Sequence, residues 1–217
     1  MNYEQARFNM IEQQIRPWEV LDPRILDVLS KVHREDFVPE QYRELAFADM
    51  NIPLGHSEVM MQPKVEARLL QELAPAAEDV ILEVGTGSGY VTALLATLGN
   101  HIDSVEIREQ FKVSAANKLA DHNITNVRLG LGDAARGWRT EQRYDAIIVT
   151  GSVPILPDSF RQSLATGGRL VAIVGQPPVM EATLVTRVTD VSWSTVSLFE
   201  TSLPPLVNAE APSKFVF

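Results

Sequence analysis

Between Asp79 and Tyr90 the chain reads Asp-Val-Ile-Leu-Glu-Val-Gly-Thr-Gly-Ser-Gly-Tyr, and no other stretch restricts the fold as tightly. Val80 to Val84 is an aliphatic, β-branched run with the length of a buried parallel strand, and the glycines begin where such a strand must stop. Gly85, Gly87 and Gly89 predict a tight turn without side chains, and Tyr90 to Leu98 continues as an apolar segment of helical length. A strand, a bare turn and a helix form a ligand cradle: missing Cβ atoms admit a ligand to the backbone, and the helix N-terminus offers unpaired N–H groups. A plain strand-to-helix connection would show the same glycines, so the turn needs support from the rest of the chain.

A dinucleotide fingerprint requires its third glycine at position 90, which is Tyr90, and a P-loop requires a Gly-Lys-Ser/Thr ending that is absent. The observed spacing, with Glu83 two residues before the first glycine, resembles instead the first motif of S-adenosylmethionine-dependent methyltransferases. Ile102 to Val105 predicts a second strand ending at Glu106, where a carboxylate is placed to accept hydrogen bonds from both ribose hydroxyls. Val127 to Leu131 predicts a third strand, followed by Gly132-Asp133-Ala134, where the methyltransferase pattern puts an acidic residue near the adenine amino group.

Composition narrows the partners. The 217 residues suggest one domain and suffice to bury about 70% of the unfolded chain's surface. With 19 basic and 28 acidic residues the net charge is −9 and there is no basic run, which argues against a nucleic-acid groove. The absence of cysteine removes disulfides, thiolate metal sites and a cysteine nucleophile. His33, His56, His101 and His122 lack metal-ligand spacing. A polar N-terminus and the lack of any apolar run near 18 residues predict a cytoplasmic protein with no membrane partner.

Residues 3 to 16 carry Ala6, Met10, Ile11 and Ile15 at helical spacing, with Pro17 expected to end the helix. Asp22-Pro23 predicts a second helix with an N-cap side chain and a proline at its first position. A third short helix is expected over Glu40 to Ala46. These helices predict a cap on the core. At the other end, Asp158 is expected to cap a helix over Ser159 to Leu164, ended by Gly167-Gly168, before a strand over Arg169 to Val174. Glu181 to Val188 and Ser194 to Thr201 predict an antiparallel hairpin turning at Thr189 to Trp193. Leu203-Pro204-Pro205-Leu206-Val207 cannot be a central strand; it is expected over the substrate mouth or at a dimer contact.

Met10 to Ile15, Asp22 to Leu26, Arg34-Glu35-Asp36-Phe37-Val38-Pro39, Ala46 to Asp49 and Ile52-Pro53-Leu54-Gly55 follow one another as in protein-L-isoaspartate O-methyltransferases. The glycine-rich core, Gly132-Asp133, Tyr144 to Thr150, Gly167 to Val171 and Val174-Gly175 extend the resemblance over roughly residues 5 to 175. It implies an α/β fold, a Rossmann-like doubly wound, mostly parallel sheet with an N-terminal helical cap and a C-terminal antiparallel edge hairpin. A single methyltransferase domain is expected over 1–217, with cap and active-site loop in 1–75 and the S-adenosylmethionine-binding core in 76–217. Cofactor contacts are implied at Glu83, Gly85, Thr86, Gly87, Gly89, Glu106, Ile107, Asp133, Ala134 and Thr150.

That family methylates isoaspartyl carboxylates in damaged proteins, and its cap loop reads Gly-x-Gly-Gln-Thr-Ile-Ser followed by x-Pro. Here the loop is Gly55-His56-Ser57-Glu58-Val59-Met60-Met61-Gln62-Pro63, so Glu58 stands for Gln, Val59 for Thr and Met61 for Ser at the reacting centre. A carboxylate nucleophile, with a pKa of about 4, is already ionised at pH 7 and needs no base. It needs alignment and donors in a dry pocket, and Met61 donates nothing. Three readings stand open. Backbone amides, Ser57, Lys64 or Thr150 take over as donors and the isoaspartyl activity is kept; or a divergent methyltransferase acts on another small molecule or protein, with Glu58 as general base; or the chain binds S-adenosylmethionine without catalysis. Core packing for Met60 and Met61, and a solvated loop position for Glu58, are the simplest structural alternatives.

Overall fold

Five aliphatic runs separated by crossovers cannot pair as hairpins, and they build the parallel part of one sheet. The computed structural model describes residues 2–139 and 141–211. Its parallel strands are β3 (Val80–Val84), β4 (His101–Glu106), β5 (Val127–Leu131), β6 (Tyr144–Val153) and β7 (Leu164–Gln176). Two antiparallel strands, β8 (Val179–Thr189) and β9 (Ser192–Thr201), extend the edge, giving the order β5-β4-β3-β6-β7-β8-β9. The order reverses between β3 and β6, the crevice where open α/β sheets bind ligands.

Strand alternation sends the aliphatic side chains to two faces. Ile81, Ile148, Val171 and Ile173 pack with the helices α2 (Pro23–Lys31), α3 (Pro63–Leu73) and α4 (Tyr90–Leu98). Leu82, Val84, Ile147, Val149 and Leu170 pack on the opposite face around Phe160 of α6 (Asp158–Gln162). Helix α5 (Glu109–Asp121) carries the crossover from β4 to β5.

The cap begins with α1 (Tyr3–Met10), capped by Asn2, whose side chain accepts from the Gln5 N–H at 3.2 Å. Pro17 does not end this helix directly: the chain widens into a π turn over Ile11–Ile15, and Pro17 lies in the 3₁₀ turn Arg16–Trp18. Asp22 caps α2 as expected, with Pro23 at its first position. The helix expected over Glu40 to Ala46 is a 3₁₀ helix, Glu40–Leu45. A hairpin of β1 (Ile52–Gly55) and β2 (Glu58–Met60) then leads into α3.

Two C-terminal expectations need correction. The helix is only Asp158–Gln162, with Pro157 at its cap position, and Leu164 already belongs to β7. Gly167 and Gly168 therefore lie inside a strand, where Gly168 abuts the Tyr144 carbonyl and a Cβ would come within 3.0 Å of it. The edge hairpin is present, its turn tightened to Asp190-Val191. Among the described residues, no helix is long and apolar enough to cross a membrane.

Candidate active site

The glycine turn is fixed by its backbone. Gly85, Gly87 and Gly89 have φ of +102°, +50° and +85°, a region that costs any residue with a Cβ. A Cβ on Gly85 would also collide with Thr150, whose Oγ1 donates to the carbonyls of Val84 at 2.9 Å and Gly85 at 2.5 Å. Gly89 meets a different need: a Cβ there would lie 3.0 Å from Ala115 of α5, so it admits the helix rather than a ligand. Gly85, Thr86 and Gly87 line a cavity at the strand tips; Gly89 does not.

Two glutamates at neighbouring strands do different work. Glu106, at the tip of β4, lines the cavity and accepts from the Gly87 N–H at 2.8 Å and the Arg108 N–H at 2.9 Å. Burial raises its pKa, opposed by those two donors. Glu83 is placed elsewhere than expected. It is fully buried beneath the turn and outside the cavity wall, with Oε2 accepting from Thr92 at 2.5 Å and Ser104 at 2.6 Å. Ser104 Oγ in turn meets Thr86 Oγ1 at 2.6 Å, so Glu83 braces the turn from behind. Its Oε1 has no partner among the described residues, and burial pushes the carboxyl up to about 8.

Ile107, Asp133, Ala134 and Thr150 also line the cavity. Asp133 accepts from the Ala135 N–H at 2.9 Å and from Asn208 at 2.8 Å. The C-terminal stretch is thus part of the wall. Ser152 anchors it through its N–H to the Pro204 carbonyl (3.0 Å) and its hydroxyl to the Leu203 carbonyl (2.8 Å), while the Leu206 N–H returns to Ser152 (2.8 Å). Gly151 admits the Leu206 side chain, which a Cβ would meet at 2.6 Å.

The opposite wall comes from the cap hairpin and α3. Val59, Met60 and Met61 line it, with both methionines only 3% exposed. Glu58 reaches the cavity but is held by Arg108, Nε to Oε1 at 2.6 Å. Below them lies a pair that sequence reasoning missed. Arg34, fully buried, donates to Glu66, to the Met61 carbonyl at 2.6 Å and to the Ala46 carbonyl at 2.8 Å, and its guanidinium sits 5.0 Å from the Tyr90 ring centroid. Glu66 is 1% exposed yet lines the cavity, and burial pushes it up to about 7 against the pull of Arg34.

Three candidate donors are engaged or turned away. Ser57 is exposed at the hairpin turn with φ +65°. Lys64 is bound to Asp49 at 2.6 Å and lies over Trp18. The single Thr150 proton is directed to backbone carbonyls.

The residues suit an adenosyl sulfonium ligand. Glu106 stands at the strand tip, the glycines leave backbone open, and every charged side chain in the wall is a carboxylate, Glu58, Glu66, Glu106 or Asp133, which suits a cation.

Comparison with known proteins agrees. The family described as Protein-L-isoaspartate(D-aspartate) O-methyltransferase matches residues 5–211. A protein-L-isoaspartate O-methyltransferase of Rhodopseudomonas palustris is 36% identical over 202 residues, 93% of each chain. One of Syntrophus aciditrophicus is 36% identical over 188 residues, 87% of this chain and 86% of its own. In structure, the chain resembles a Plasmodium falciparum protein described as a putative protein-L-isoaspartate O-methyltransferase in complex with S-adenosyl-L-homocysteine. The TM-score is 0.80 at 17% identity, covering 95% of this chain and 99% of that one.

Proposed function

The chain belongs to the protein-L-isoaspartate(D-aspartate) O-methyltransferase family, and on that premise we propose that its cavity binds S-adenosylmethionine and methylates isoaspartyl carboxylates of damaged proteins. The observation that carries the reading is that one continuous cavity joins Glu106 and the glycine turn to the cap hairpin. Bound there, S-adenosylmethionine supplies an electrophilic methyl group on a sulfonium. Glu106 would accept from the ribose hydroxyls, the Gly85-to-Gly87 backbone would hold the amino-acid part, and Asp133 with Ala134 would border the adenine.

The acceptor is ionised at pH 7, so the protein must orient it and exclude water. Val59, Met60 and Met61 keep that end dry. Side-chain hydroxyls being absent or engaged there, backbone N–H groups must hold the acceptor carboxylate. Family membership supports isoaspartyl methylation, with protein repair as its role, and the missing hydroxyls point to a slow rate.

Transfer of labelled methyl to matched L-isoaspartyl and L-aspartyl peptides, with cofactor binding checked by calorimetry, tests the reading. Turnover on the isoaspartyl peptide alone is expected; tight cofactor binding with no turnover on either peptide would sink the acceptor assignment. Joint replacement Val59→Thr with Met61→Ser restores two hydroxyls and is expected to raise kcat/KM at least about tenfold, as a hydrogen bond to a charged group is worth about 1.5 to 3 kcal/mol.

A further inference from the structure

Glu66 sits on the first turns of α3, and its position follows from one guanidinium. Arg34 spans from the Glu66 Oε2 to the Met61 carbonyl, so the carboxyl lies beside the segment that lost its hydroxyls. Glu66 Oε1 makes no hydrogen bond among the described residues, and it is not sealed off as Glu83 Oε1 is. Glu66 lines the cavity alongside Val59, Met60 and Met61. The other carboxylates of the wall are engaged: Glu58 with Arg108, Glu106 with two backbone N–H groups, and Asp133 with Ala135 and Asn208.

Among the described residues the wall offers an acceptor carboxylate no side-chain cation, so it would rely on backbone N–H groups. A protonated amine is attracted but cannot react until it loses its proton. An aliphatic alcohol is too weak an acid for a carboxylate base. A phenol satisfies each constraint: it arrives neutral, its ring lies against apolar side chains, and its hydroxyl, with the pKa of about 10 that tyrosine shows, is acid enough.

We propose that this cavity accepts a phenol as a second methyl acceptor, with Glu66 Oε1 as the catalytic base that receives the phenolic proton. As the phenol oxygen bonds to the methyl carbon, its proton passes to Oε1. The electron pair of the broken S–CH₃ bond stays on sulfur, leaving neutral S-adenosylhomocysteine and an aryl methyl ether; the proton then passes to water. Burial brings the Glu66 carboxyl to about 7, where a base is ionised and still takes a proton. Burial and Arg34 set this balance; Glu83 behind the turn and the Tyr90 hydroxyl feel the Glu66 charge, and Glu58, Glu106 and Asp133 share the cavity wall with it.

The inference rests on the cofactor half of the proposed function and not on its isoaspartyl acceptor. The test is titration of 4-methylphenol into the full-length protein saturated with S-adenosylhomocysteine, from pH 6 to pH 8, beside methyl transfer to the same phenol. Binding should tighten and turnover should rise through pH 7. Glu66→Gln should bind the phenol at least about tenfold more weakly with no pH dependence, measured with the variant saturated with S-adenosylhomocysteine, which carries no sulfonium charge. If that variant does not fold, Arg34→Met with Glu66→Gln removes both buried charges together and carries the same test. A tyrosyl peptide in parallel separates a free phenol from a protein side chain, and binding of either supports the proposal. No phenol binding to the loaded protein, or an unchanged pH dependence in the glutamine variant, overturns it. Isoaspartyl turnover without phenol binding overturns it and leaves the proposed function standing; failure to bind S-adenosylhomocysteine overturns both.

Discussion

The two ends of the cavity are built from different materials. At the strand tips the wall is set by backbone: Gly85 and Gly87 with positive φ, Glu106 receiving two N–H groups, and Thr150 tied to backbone carbonyls. At the cap the wall is side chains: Val59, Met60, Met61 and the Arg34–Glu66 pair. Backbone geometry changes only if the fold changes, whereas a side-chain wall is remade by single substitutions. A single substitution therefore reaches the acceptor end more readily than the strand-tip end.

The sharpest way to break the contrast is Glu106→Ala. It removes the turn's acceptor along with any ribose contact, so S-adenosylhomocysteine affinity should fall by about 30- to 150-fold, or 2 to 3 kcal/mol, in calorimetry. Unchanged affinity would mean that the strand tips do not hold the ribose. Next in size, Gly85→Ala puts a Cβ at φ +102° and against Thr150, and should cost about 1 to 3 kcal/mol of stability in chemical denaturation. A neutral result would show that the turn is not set by its backbone.

Glu83 sharpens the comparison through pH. Its folded-state pKa of about 8 lies above its ordinary value of 4.5, so the folded chain holds a proton that the unfolded chain releases. The stability this contributes is complete below about 4.5 and is lost as pH rises through 8. Between pH 6 and pH 8 the wild type should lose about 2 kcal/mol from this group, and Glu83→Gln should flatten that decline in melts recorded across the range. An identical pH profile in the variant would remove Glu83 from the account. The smallest effect is expected of Asn208→Ala, which frees one Asp133 oxygen and should shift S-adenosylhomocysteine affinity only about two- to fivefold with an unchanged Tm. A loss as large as that of Glu106→Ala would make the C-terminal stretch an equal partner in binding.

Most of the backbone end was legible in the residue order. Val80–Val84 and Tyr90–Leu98 form the elements expected of them, and Glu106 stands at a strand tip, because periodicity and glycine punctuation act over a few residues. Glu83 and Gly89 were expected to touch cofactor from the resemblance, yet neither lines the cavity. Spacing along the chain does not say which side of a turn a group faces. The Glu58–Arg108 and Glu66–Arg34 pairs had no local signal at all. Each joins residues at least 32 positions apart.

The sequence by itself determined the sheet, the cradle at its carboxyl ends and the loss of hydroxyls at Val59 and Met61, since these depend on short-range pattern and residue identity. Only the tertiary structure decided what stands in their place. The packing of cap on core buries Arg34, holds Glu66 against it at the cavity floor, ties Glu58 to Arg108, and lays Leu203 to Val207 along the wall. Burial and long-range pairing set the charge and reach of those groups, and neither is written in the neighbouring residues.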